Sequence, residues 1–337
     1  MLLETLCGLS GISGNEKEVR DFIEEEIRDY CEMKTDPLGN LIAFKKGKKT
    51  PSKSLMLAAH MDEVGLIVTG FKGDGTLKVA AVGGVDAAVV LGRSVCVGEK
   101  KLPGVVGAKA VHNLSADEKK AAPSFDKLSV DIGAESKEEA QKHVSLGDTV
   151  TFQSDFVRMG DGFLKGRAID DRAGCAILIE LIKENLEYDT TFVFTVQEEI
   201  GTRGAKTASY TVNPDFAIVL ETTTAADIDG VSGDKRVCEL GKGAVVSYMD
   251  RSTVYDRELY KLAFEVAREQ AIPVQTKTLV AGGNDSGSIH VSRGGVRTAA
   301  ISAPCRYLHS PSCVVRESDL EACKNLARAL MKRIYTL

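Results

Sequence analysis

Val19, Phe22, Ile23, Ile27 and Tyr30 recur every three to four residues, which lays one apolar stripe along a helix. Ser13 and Glu16 precede that stripe at capping-box spacing, with Ser13 as N-cap and Glu16 reaching back. A first amphipathic helix is therefore expected to run to about Cys31. Two strand-like runs follow, Asn40 to Phe44 and Leu55 to Ala59.

From about Ile67 to Phe156 the period shortens. Alternating β-branched pieces such as TLKVAAV, SVCVG and DTVTF are separated by glycine-rich turns, with one small helix opened by Ser136 and Glu139. This texture predicts a compact β-rich module, residues 67–161, inserted into a host domain of residues 1–66 and 162–337. Past Gly162 the longer period returns. Helices are expected over Asp170 to Leu186, Tyr255 to Ala271 and Ser318 to Tyr335, the last with its own capping box, Ser318 and Glu321. Strands are expected at Thr191–Val196, Phe216–Leu220, Val245–Tyr248 and Val296–Ala303. Apolar strands alternating with amphipathic helices imply an α/β fold, a mixed sheet with helices on both faces.

Composition narrows the function. Among 337 residues, 43% are hydrophobic and 27% charged, values of an ordinary globular protein. A net charge of -5 offers no basic field for nucleic acid, and the run Lys45, Lys46, Lys48, Lys49 reads as a solvated loop. MLLETLCGLSG lacks a basic leader and no apolar run is long enough to span a bilayer, so no membrane association is expected. The eight cysteines fall at irregular positions without a C-x-x-C pair, which reads as reduced thiols in the cytoplasm.

Ligands of open α/β sheets collect at the carboxyl ends of strands, and there the polar residues are unusual. His60, Asp62 and Glu63 follow LMLAA, Glu198 and Glu199 follow TFVFTVQ, Glu221 follows FAIVL, and His309 follows RTAAISAPCRYL. Asp170 and Asp171 open a helix after GRAI, where either could be a plain N-cap. So many carboxylates in one cleft repel one another unless cations hold them. Two catalytic-type sites sharing a bridging carboxylate need two imidazoles and three carboxylates, and the census supplies such a set. Cysteine is missing from these candidates, which favours a hydrolytic centre with exchangeable ions over a structural one. Gly282, Gly283, Asn284 and Asp285 either bring backbone close to a substrate or form an ordinary loop before a helix.

The ordered segments LSGISGNE, AHMDEVG, GRAIDDRAGC, VQEEIGTRGA, LETTTAAD, GGNDSGSIH and PCRYLHSPS resemble the tetrahedral, deblocking or glutamyl aminopeptidase family of dinuclear metallopeptidases along essentially the whole chain. The resemblance implies two divalent ions per subunit, zinc or cobalt with manganese compatible. In it Asp170 bridges the ions, Glu199 and His309 complete one shell, and His60 and Glu221 the other. It further implies that Glu198 is the general base and that Asp62 hydrogen-bonds the far nitrogen of His60. Many relatives carry aspartate where this chain has Glu221, which puts the second shell's geometry in question, and Asp227 is a more distant substitute. By the same resemblance the inserted module is a dimerisation domain, dimers assemble into a tetrahedral dodecamer, and short peptides are the substrates. His112, His143 and His290 receive no metal role.

Other readings stay open on the residues alone. A related dinuclear carboxypeptidase, dipeptidase or deacylase would keep the ions and change the substrate. A glycosidase would use Glu198 and Glu199 as its pair, although sequence neighbours on a strand point to opposite faces. A non-catalytic peptide-binding scaffold would require loss of the base or a ligand.

Overall fold

The computed structural model describes residues 1–337, the side chain of Lys119 excepted. Eight strands form one mixed sheet in the order Glu32–Thr35, Leu41–Lys45, Thr190–Thr195, Leu55–His60, Phe216–Thr224, Arg297–Cys305, Ala244–Val246 and Val274–Thr276. The four central strands, from Thr190–Thr195 to Arg297–Cys305, are mutually parallel, so their carboxyl ends share one edge.

Strand alternation divides the interior. Leu55, Leu57, Phe216, Ile218 and Leu220 belong to a large apolar cluster with the helices Ile169–Ile182, Arg257–Glu269 and Glu317–Ile334. Met56, Ala58, Ala217 and Val219 point the other way and join Ala205, Ala208 and Ile289 in a second cluster. Nearly every central-strand residue is buried, as a parallel sheet requires.

Six strands between Gly65 and Phe152 close into a separate barrel. Its core holds Leu66 with Val68, Leu77 with Val79, and Val95 with Val97, each pair two residues apart on one face. Val157–Met159 lies outside the barrel, pairing with Phe163–Gly166, which in turn pairs with Cys313–Arg316. Among the described residues, no helix is long and apolar enough to cross a membrane.

Two expected caps are not formed. The helix Lys17–Ile27 starts after Glu16 without a side-chain cap, because Ser13 and Glu16 bond elsewhere, and it ends short of Cys31. The closing helix Glu317–Ile334 starts one residue before Ser318, with Arg316 as an unbonded N-cap. At the small helix Lys137–Ala140 the expectation holds: Ser136 Oγ accepts the Glu139 N–H at 3.2 Å. All eight cysteines are free, six of them buried.

Candidate active site

His60 is the last residue of its strand rather than the first beyond it, and Glu221 lies inside the strand Phe216–Thr224. Val219 pairs with Ala58, so two residues on, Glu221 comes level with His60 on the same face of the sheet. Glu198 and Glu199 follow Thr195, which pairs with His60. His309 sits four residues beyond Cys305 with a positive φ of 56°. Asp170 enters from the start of the helix Ile169–Ile182.

These residues meet around Asp170. His60 Nε2 stands 3.3 Å from Asp170 Oδ1 and 3.5 Å from Glu221 Oε1. On the other side, His309 Nε2 stands 3.4 Å from Asp170 Oδ2 and 3.2 Å from Glu199 Oε2. One carboxylate thus turns one oxygen to each imidazole. The other ring nitrogens are occupied: His309 Nδ1 lies 3.1 Å from the Gly84 carbonyl, supplied by the barrel segment, and His60 Nδ1 lies 3.0 Å from the Asp62 carbonyl. Both pairings leave Nε2 free to ligate.

The Asp62 side chain has a larger task than orienting His60, from which its carboxylate is 3.4 Å away. It is fully buried and accepts the backbone N–H groups of Glu198 and Glu199 and the Ser13 hydroxyl. Glu63, which the census placed beside it, is drawn off by a bidentate pair with Arg167 at 2.6 Å, with Arg172 a further 3.5 Å away. Asp227 pairs with Arg306 at 2.6 Å and is no substitute ligand. His112 and His143 are exposed, and His290 Nδ1 lies 2.7 Å from the Ser286 carbonyl. Asp285 is the N-cap residue of the short helix Ser286–Ile289 but makes no side-chain cap bond; its carboxylate accepts the Thr195 hydroxyl.

Sequence reasoning gave Asp171 no role in the cluster. One oxygen accepts the Gly174 N–H at 2.9 Å, a cap-like bond. A Cβ at residue 174 would sit 2.3 Å from Asp171 Oδ2, so only glycine fits there. Asp171 also groups with His60 and Glu221 closely enough to hold an ion, as Glu198 does with His60 and Glu199. The doubled acid of GRAIDDRAGC was its only sequence signal.

Burial sets the electrostatics. It pushes Glu199 and Glu221 up to about 8, helped by the Asp170 charge, and Glu198 well above the carboxylate range. Burial alone would depress His309, yet Asp170 and Glu199 hold it at about 10. Burial would likewise raise Asp170, but the His309 and His60 imidazoles on either side hold it well below its ordinary value. Asp170 Oδ1 and Glu199 Oε1 are buried without a hydrogen-bond partner. Imidazole nitrogens and carboxylate oxygens converging without hydrogen-bond geometry are a donor set for divalent cations.

The profile of the M42 glutamyl aminopeptidase family matches residues 39–326. A protein of Acetivibrio thermocellus, provisionally named an aminopeptidase, is 44% identical over 98% of this chain and 97% of its own. The Pyrococcus horikoshii TET1 peptidase, which assembles into a tetrahedron or a large octahedral shell, is 35% identical over 97% of both chains at a TM-score of 0.87. A Thermotoga maritima protein named an endoglucanase is 37% identical over 100% of this chain and 99% of its own, at a TM-score of 0.83.

Proposed function

The chain belongs to the M42 glutamyl aminopeptidase family and is a metal-dependent aminopeptidase, and from that premise we propose that it trims short peptides at a two-ion centre. His60 and Glu221 would hold one ion and Glu199 and His309 the other, with Asp170 facing both pairs. The observation that carries this is the division of Asp170, Oδ1 toward His60 and Oδ2 toward His309. Zinc or cobalt suits the mixed imidazole and carboxylate donors, and manganese is compatible. When bound, the ions would supply Lewis acidity toward the scissile carbonyl and acidify the attacking water.

The chain's own residues do the rest. The Glu198 carboxylate takes the proton of the attacking water and returns it to the departing amine. Asp62 fixes the backbone on which Glu198 and Glu199 stand. The cluster of buried acids receives the positively charged α-amine of the substrate, which makes a free amino terminus the requirement for cleavage.

The barrel serves as a dimerisation domain, and dimers build a tetrahedral dodecamer; the likeness to the TET1 peptidase supports this reading. The two apolar clusters support a host sheet covered by helices on both faces. Eight free thiols support a cytoplasmic setting.

The test is a short-peptide panel, each member with a free or an acetylated amino terminus, run on metal-stripped protein and after adding zinc or cobalt. Stepwise release from free termini alone, restored by metal, is expected. Cleavage of acetylated peptides would instead mean a related carboxypeptidase or deacylase, and release from dipeptides alone a dipeptidase. The neighbour named an endoglucanase favours a second reading, glycoside hydrolysis. Hydrolysis of polysaccharide that resists chelators would establish it.

A further inference from the structure

The segment PCRYLHSPSC carries a cysteine on either side of His309. Cys305 ends the strand Arg297–Cys305, and Cys313 opens the strand Cys313–Arg316. Arg306 and Val314 face each other across the two strands and exchange both backbone hydrogen bonds, at 2.9 and 3.0 Å. Each cysteine stands one residue before a member of that pair, so both side chains leave the same face. That face belongs to the large apolar cluster, in which both cysteines are buried. There the two thiols come within hydrogen-bonding reach of each other.

Both thiols also donate to the loop they bracket. Cys313 Sγ reaches the Tyr307 carbonyl at 3.6 Å and the Ser310 carbonyl at 3.5 Å, and Cys305 Sγ the Arg306 carbonyl at 3.5 Å. Tyr307 and His309 hold positive φ angles of 58° and 56°, a backbone that persists only where its surroundings fix it. Cys313 further lines a cavity of about 10 Å³ with Asp170, Glu199 and His309, room for about one water molecule. A small molecule that enters the centre therefore meets Cys313 before the fully buried Cys305.

We propose that Cys305 and Cys313 are a modification site, a thiol pair that hydrogen peroxide closes to a disulfide, and that closure loosens the hold of His309 on its ion. The Cys313 sulfur attacks one peroxide oxygen; the O–O bond breaks, a sulfenic acid forms, and the second oxygen leaves as water with the thiol proton. The Cys305 sulfur then attacks the sulfenic sulfur; the S–S bond forms, the S–O bond breaks, and the hydroxide leaves as water with the Cys305 proton. Two thiols are oxidised and one peroxide is reduced to two waters. The disulfide has no S–H, so the carbonyls of Tyr307 and Ser310 lose their donor and the backbone that aims His309 loses its support. The thiol chemistry stands apart from the peptidase reading, whereas the effect on the ion rests on His309 being a ligand.

Zinc-loaded protein is treated with hydrogen peroxide and followed by thiol titration, non-reducing peptide mapping and zinc release to a chromogenic chelator. Two of the eight thiols are expected to disappear together, with Cys305 linked to Cys313. Zinc affinity on the His309 side should fall about 10- to 100-fold, and dithiothreitol should restore both thiols and affinity. Cys305→Ala should stop at a sulfenic acid on Cys313, which dimedone captures, and should form no link. The native map decides the pairing even if that variant does not fold. Cys7 lies in the same cluster, and a link from it to Cys313 overturns the pairing, as does the survival of all eight thiols in excess peroxide. A Cys305–Cys313 link that leaves zinc affinity unchanged overturns the effect on His309. None of these readouts depends on peptide cleavage, so failure of the aminopeptidase reading is recognised separately.

Discussion

The backbone N–H of Glu198 donates to the Asp62 carboxylate at 3.0 Å. The other Asp62 oxygen accepts the Glu199 N–H at 3.1 Å and the Ser13 hydroxyl at 2.6 Å. A single buried side chain therefore holds the proposed base, a proposed ligand and the segment before the first long helix. Burial would raise its pKa, but the His60 imidazole beside it and the Ser13 hydroxyl keep it lowered, so it stays an acceptor on both oxygens. Asp62→Asn replaces one acceptor by a donor facing an N–H and a hydroxyl. The expected loss is about 10- to 100-fold in kcat, with metal content kept. Steady-state kinetics on metal-loaded protein decides it, and a kcat near the native value would show that the Glu198–Glu199 backbone is held by something else.

Glu198→Gln separates proton transfer from ion binding. No ligand in the proposed set is touched, so metal analysis should return the native stoichiometry while kcat falls by about 10²- to 10⁴-fold. A variant of near-native kcat would remove Glu198 from the mechanism.

How much of this was visible in the sequence depends on which period carried it. The helices and central strands were legible because their apolar positions repeat at 3.6 or fill a whole buried strand, and the site because His60, Glu198, Glu199 and His309 lie at or near the ends of parallel strands. Ser13 and Glu16 misled, because a capping box and a pair of long-range bonds have the same local spelling. Which one forms is decided by Asp62 and Gln197, 49 and 181 residues away. The buried triad of Glu63, Arg167 and Arg172 was silent for the same reason: burial of an ion pair leaves no periodic mark.

That triad supports a prediction about stability. Arg167 and Arg172 also donate to the carbonyls of Leu6, Gly8 and Leu9, which fastens the short N-terminal helix Leu2–Gly8 to the segment carrying Asp62. Glu63→Gln leaves two buried guanidinium groups without their anion, at a cost of about 3–5 kcal/mol. Urea unfolding of the metal-loaded protein measures it; a loss under 1 kcal/mol would mean water reaches the pair.

Ion removal should be felt as stability too. Stripping leaves Asp170, Glu199 and Glu221 buried together, and re-adding zinc or cobalt at a hundredfold over Kd restores about 3 kcal/mol per ion. Glu221→Ala should retain one ion per chain by metal analysis where the native protein retains two. Two ions retained by the variant would point to Asp171, which also lies close to His60, as the ligand in its place.

Glu16 supplies a pH dependence of its own. Burial pushes its carboxyl up to about 7, although the N–H groups of Gly14 and Gln197 both donate to it and pull the other way. An acid raised on folding holds a proton that the unfolded chain has already released, so stability is greatest below the unfolded value of about 4.5. It then declines as pH rises through the window from about 4.5 to 7, and levels off above it. The full decline from this one group is about 3 kcal/mol. Glu16→Gln carries no titratable proton and should lack that part of the slope. Urea unfolding at pH 5 and pH 8, in one metal-saturating buffer, compares the two proteins, and protons linked to ion binding cancel in the difference. Parallel slopes would mean that the two backbone donors outweigh burial and keep Glu16 ionised throughout.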